Sequence, residues 1–201
     1  DPRVLALAER LLGPHVRVSF TSALVNEPGK RRTGWHADWP FNQNNAGHVQ
    51  APYPDRVMHL TALIMISPFT EVNGGTLIVP GSHRASSNPT DKSLGIDPEL
   101  PYPSEFRVTG PAGSMLLFDS RLWHCAPENR SDSPRLALAV RYAPWWLNLE
   151  PLDPDSDQRR QLVTESGLTE NVVPRIEPHV YESLPENVQP LFRHWLARSG
   201  G

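Results

Sequence analysis

Apolar positions at the start of the chain follow a helical spacing. In DPRVLALAERLLGP, Val4, Leu5, Ala8, Leu11 and Leu12 recur three and four apart, and Gly13-Pro14 supplies the stop. The period then shortens. HVRVSFTSALVN alternates as a strand does and ends at the turn EPGK. VMHLTALIMIS reads as a buried strand, and NGGTLIVPGSH as a strand between Gly-Gly and a Pro-Gly turn. FRVTGPAGSMLLFDSRLWHCA holds two or three short strands split by Gly and Asp turns, and RLALAVRYAPWW is a further strand. Two polar, proline-bearing excursions interrupt the series: DWPFNQNNAGHVQAPYPDR, and residues 84–105. From Pro151 the chain reads as loop, closing on a helix in ENVQPLFRHWLARS. Short strands with closely spaced turn signals predict a mainly β protein, a sandwich or jelly roll, with helices at both ends. The expected organisation is one domain over residues 1–201, with its core at about 16–146 and an extension at about 147–201.

Composition narrows the function classes. The 22 prolines are about twice average usage, which suits strands and loops better than a helical bundle. A net charge of -3 leaves no basic footprint for nucleic acid. The cluster Lys30-Arg31-Arg32 is short enough to read as a solvated loop. A single cysteine, Cys125, excludes an intrachain disulfide framework and a cysteine-based zinc cluster. No apolar run approaches the ~20 residues of a membrane span. The chain opens without a signal peptide or initiator Met, which reads as the edge of a fragment, and cytoplasmic residence is the default expectation.

Candidate chemistry begins in TGWHADWPF. Residues two apart on an extended segment share a face, so His36 and Asp38 present an imidazole and a carboxylate side by side. That pair suits adjacent positions on an octahedral ion, and one more histidine would complete the two-His-one-carboxylate set of non-heme Fe(II). His-x-Asp alone is a weak signal that turns up by chance in many proteins, and its ordinary reading is a hydrogen-bonded surface pair. Among the eight histidines, His124 is the best third ligand: it ends a strand-like run, and Arg135 opens another strand eleven residues later. On that strand Arg135, Ala137, Ala139 and Arg141 share one face, a cavity wall with cationic ends. Leu136, Leu138, Val140 and Tyr142 share the packing face. An arginine inside a barrel is costly unless a carboxylate pairs with it. His83 reads as satisfying its Pro-Gly turn, His59 as structural, and Cys125 as buried and inert. Trp35 and Trp39 read mainly as packing.

Taken together, WHAD, NGGTLIVPGSH and GSMLLFDSRLWHCAPENRSDSPRLALAVRY resemble the phytanoyl-CoA dioxygenase family of Fe(II)/2-oxoglutarate oxygenases, over roughly Val16 to Trp146. LPENVQPLFRHWL also resembles a common terminus of that family. The resemblance implies a double-stranded β-helix (jelly-roll, cupin-like) core. It implies His36, Asp38 and His124 as ligands to Fe(2+), and Arg135 on the distal carboxylate of 2-oxoglutarate. It implies an enzyme that uses O2 to hydroxylate an unactivated C–H, releasing succinate and CO2. Related halogenases replace the carboxylate ligand with a small residue, so Asp38 favours hydroxylation. A tryptophan and a serine that help hold the co-substrate in the animal enzyme align with Leu60 and Ala126, and Thr21 and Thr76 are the substitutes expected here. Trp39, Phe41 and Arg141 are the expected substrate wall, the loop 40–56 the expected lid, and a small, largely apolar molecule the expected substrate. The rivals are a cupin-like metal-dependent isomerase or lyase, and a catalytically silent binding module.

Overall fold

A computed structural model of the chain describes residues 1–39, 49 and 52–197. Helix α1 spans Pro2–Leu12: the Asp1 carboxylate accepts the Arg3 N–H at 2.8 Å, proline sits in the first turn, and Gly13 at φ 91 ends it. Its buried residues Val4, Ala8 and Leu12 repeat every four positions. Seven strands follow: β1 (Arg17–Asn26), β2 (Leu60–Met65), β3 (Leu77–Ile78), β4 (Phe106–Arg107), β5 (Met115–Asp119), β6 (His124–Cys125) and β7 (Arg135–Ala143). They form two antiparallel sheets, one ordered β1-β7-β2-β5 and the other β4-β3-β6. The fold is mainly β, as the alternating pattern predicts. Among the described residues no helix is long and apolar enough to cross a membrane.

Register decides which side chains meet. Arg135, Ala137, Ala139 and Arg141 of β7 face inward with Leu63 and Met65 of β2. Ala137, Ala139, Leu63, Met65, Phe69, Phe118 and Leu122 form a core that also takes in Ile78 of the smaller sheet. The opposite face of β7 departs from the expected packing role. Tyr142 packs with Ala8 and Leu12 of α1, whereas Leu136 remains 36% exposed. An 11-residue helix is about 16 Å long, against about 30 Å for a nine-residue strand, so α1 covers one end only.

Beyond β7 the chain returns to the edge of the larger sheet. The predicted C-terminal helix is shorter than the sequence suggests: an α-helical turn at Gln189–Phe192 and a 3-10 turn at Arg193–Trp195, because Pro190 sets its start. Trp195 is buried, and its Nε1–H donates to the Val18 carbonyl at 2.7 Å, beside the bulge between Val18 and Phe20. The part-buried Arg175–Asp153 ion pair ties the same tail to the 150s turn. The tail thus covers a carbonyl on an edge strand that would otherwise be open.

Candidate active site

His36 reaches the smaller sheet through an isolated antiparallel bridge to His124, each backbone N–H donating to the other's carbonyl at 3.1 and 2.9 Å. The bridge holds the two rings 4.3 Å apart, centre to centre. Each imidazole also bonds a carbonyl two residues back: His36 Nδ1 to Gly34 O at 3.0 Å, His124 Nδ1 to Leu122 O at 2.9 Å. A carbonyl only accepts, so both Nδ1 atoms carry the proton and both Nε2 lone pairs are left for a metal. Burial, then the neighbouring His36, pulls His124 down to about 4, so it is the neutral, ligating form near pH 7.

Asp38 lies beside them, its backbone N–H on the Ser120 carbonyl at 2.9 Å. Oδ1 is 3.7 Å from His124 Nε2 and accepts from Arg141 NH2 at 2.5 Å, while Oδ2 accepts from the Thr61 hydroxyl at 3.2 Å. Burial by itself would raise this carboxyl, but the Arg141 charge and the imidazoles outweigh it and hold it at about 2. Behind Thr61 runs a polar chain. Thr61 Oγ1 meets Ser120 Oγ at 2.7 Å, Ser120 Oγ meets His59 Nδ1 at 2.7 Å, and His59 Nε2 meets Ser19 Oγ at 2.8 Å. Burial, reinforced by Arg141, lowers His59 to about 3 and keeps it neutral. Trp39 stacks on that ring at 5.6 Å. In the sequence Thr61 and Ser120 carry no mark of a site, and His59 reads as merely structural. The one available signal was a hydroxyl inside the apolar run LTALIM, inward by alternation with Leu63.

The triad opens onto a cavity of about 510 Å3 whose lining includes Thr76, Arg135 and Arg141. Arg135 is 3% exposed, its guanidinium lies 4.3 Å over the Phe69 ring, and it makes no hydrogen bond or ion pair among the described residues. Burial pulls it down to about 10, still charged near neutrality. Asn26 opposes it across β1 and β7, donates to Pro127 O at 3.1 Å and leaves its buried Oδ1 without a partner among the described residues. Ala126 and Lys30 also line this cavity, so Lys30 is not simply part of a solvated loop. Arg32 pairs with Glu105 at 3.1 Å and lies 4.8 Å over Trp35.

Other expected residues lie elsewhere. Thr21 is a correction: the register pairs it with Val140 on the opposite face of the sheet, where it is exposed and cannot reach the co-substrate cavity. Leu60 likewise packs toward α1. Trp39 lines a neighbouring cavity with His59 and Arg141, apart from the main one. Phe41, and most of the loop 40–56, lie outside the described residues. Trp35, Trp123 and Cys125 pack together with Leu77 and Val79, and burial pushes the Cys125 thiol up to about 12. His83 sits in the 3-10 turn Ser82–Arg84.

Two imidazoles and one carboxylate are the one group among the described residues able to share a metal ion, with ligand atoms all within 4.8 Å of one another. This donor set fits non-heme Fe(II). The unpaired Arg135 in the same cavity fits a bidentate carboxylate of a co-substrate.

The ectoine dioxygenase of Nocardia farcinica is 33% identical over 155 residues, covering 66% of this chain and 49% of that protein. The solved structure of EctD from S. alaskensis with 2-oxoglutarate and 5-hydroxyectoine is 26% identical, with a TM-score of 0.57, covering 75% of this chain and 52% of that one. HygX from Streptomyces hygroscopicus, solved with nickel and 2-oxoglutarate, shares the fold at 19% identity and a TM-score of 0.56, covering 73% and 65% of the two chains. The chain spans about half the length of the curated relatives it matches. The profile of the phytanoyl-CoA dioxygenase (PhyH) family matches residues 1–137, and the chain belongs to that family of dioxygenases.

Proposed function

We propose that this chain carries the catalytic centre of an Fe(II)- and 2-oxoglutarate-dependent hydroxylase, built on a double-stranded β-helix core. The observation that carries the reading is a buried, unpaired arginine sharing one cavity with a His-Asp-His triad. In this reading His36, Asp38 and His124 hold the metal, and Arg135 holds the distal carboxylate of 2-oxoglutarate. Thr76, buried on the same wall, is the remaining proposed co-substrate contact. Bound iron, with 2-oxoglutarate and O2, supplies the oxidising chemistry that hydroxylates a C–H, with succinate and CO2 as co-products.

The chain's own residues do the positioning. The Gly34 and Leu122 carbonyls fix the imidazole tautomers, Thr61 fixes the far oxygen of Asp38, and Leu63, Phe118 and Ala139 keep one side of the cavity apolar. That apolar wall supports a small organic substrate that is largely apolar where the C–H is presented. Anaerobic addition of Fe(II) and 2-oxoglutarate tests the assignment. The expected result is the visible metal-to-ligand charge-transfer band of the chelate, and a folded protein that never develops it would rule the assignment out.

A further inference from the structure

Arg141 is bound to the ligand carboxylate itself, and its position sets what else the site must receive. Its NH2 donates to Asp38 Oδ1, the oxygen nearest His124 Nε2 and so the one turned toward the metal position. No other hydrogen bond of its guanidinium is present among the described residues, and its Nε is buried without a partner. The Phe20 ring, 4.9 Å beneath, holds the guanidinium in place. Its side chain is 18% exposed.

In the metal-free protein Arg141 and Asp38 neutralise one another. A divalent ion bound by Asp38 draws on that same oxygen, and the arginine is left facing a cation. Counting the dication, Asp38, a dianionic co-substrate, Arg135 and Arg141, one positive charge remains uncompensated. A partly buried cation in that position calls for an anion.

The surroundings provide the rest of a receptor. On this side of the triad a cavity of about 330 Å3 is bounded by His36, Asp38, Arg141, Asn88, Thr90 and Asn171. Asn88 is 3% exposed and its Oδ1 is spent on the Thr90 N–H at 3.1 Å, so its NH2 is left as a donor. The Thr90 hydroxyl and the Asn171 side-chain amide also have no partner among the described residues. Asn88 and Thr90 come from the excursion 84–105, and Asn171 from the C-terminal extension.

We propose that this cavity receives a carboxylate of the organic substrate, bound by Arg141 with Asn88, Thr90 and Asn171 once metal has taken up the charge of Asp38. The substrate class is then a small carboxylic acid whose apolar portion carries the C–H. The proposal rests on the metal and co-substrate reading above.

Acetate serves as the probe, with the chain loaded with Co(II) and 2-oxoglutarate, followed by the visible cobalt spectrum and by calorimetry. The 2-oxoglutarate titration comes first; if that chelate fails to form, the co-substrate reading falls and this proposal with it. Given the chelate, saturable acetate binding is expected in the loaded chain. Arg141→Gln should weaken it about tenfold or more, read in each chain with Co(II) and 2-oxoglutarate saturating. Arg141→Lys, which keeps the charge, should fall between, and Asn88→Ala should weaken acetate several-fold should the glutamine variant fold poorly. Equal acetate affinity in wild type and Arg141→Gln, as direct ligation to the metal would produce, overturns the proposal. So does the absence of saturable binding.

Discussion

Asp38 answers to three neighbours at once: Arg141 and the metal position at one oxygen, Thr61 at the other. The Thr61 hydroxyl carries no charge of its own, so its role is to orient the carboxylate rather than to neutralise it. Replacing Thr61 with Val keeps the shape and deletes the donor, and metal affinity should fall about tenfold or more, with Thr61→Ser restoring most of it. Calorimetric titration with Co(II) reads the difference, and an unchanged affinity would remove Thr61 from the site. Arg135 is a different case, being buried and without a partner among the described residues. Arg135→Ala should weaken 2-oxoglutarate by about 2–5 kcal/mol, because the bound carboxylate is then left unpaired. Titration of the charge-transfer band measures this, and wild-type affinity in the variant would argue against the anchor role.

At the scale of elements, the turn entering β3 supports the arginine end of the cavity. Gly74 has φ 81, and a Cβ there would lie 2.4 Å from Asn26 Nδ2 and 2.8 Å from the Pro127 carbonyl. Asn26 in turn opposes Arg135 across the sheet. Gly74→Ala therefore meets both backbone strain and a clash with rigid neighbours, and should cost about 1–3 kcal/mol in urea denaturation. It should also weaken 2-oxoglutarate binding, since Asn26 must move. A variant as stable as wild type would show that the turn can relax without disturbing β1.

For the molecule as a whole, acid sensitivity follows from its buried histidines. His59 and His124 stand near 3 and 4 in the folded, metal-free chain, against about 6.5 when unfolded. Between those values the unfolded chain binds more protons, so stability is fully present above pH 6.5 and is lost as pH falls toward 3. Each histidine contributes a slope of up to about 1.4 kcal/mol per pH unit in that window. Denaturation of the metal-free protein from pH 7 to pH 5 should show the decline, and His59→Gln should flatten it by about one histidine's share. An identical slope in the variant would mean that His59 is solvated in the native state.

Much of this architecture is written locally. Alternation marks the strands, Gly13-Pro14 ends the first helix, and His36-x-Asp38, His124 and Arg135 stand out by their residue types and spacing within the segment that the family profile matches. Period-two alternation also put Arg135 and Arg141 on one face of β7, which the register bears out. What alternation cannot give is which face of β1 meets that wall. A one-residue difference in register turns Thr21 outward and Asn26 toward the site, and register is set by pairing with a strand more than a hundred residues away. The same holds for Thr61, Ser120 and His59, ordinary polar residues until two strands and a loop close a chain of hydrogen bonds behind Asp38. Residue chemistry along the chain marked out His36, Asp38, His124 and Arg135. Only the tertiary structure decided what surrounds them, because hydrogen bonds and buried charge depend on distances between segments that the linear order does not contain.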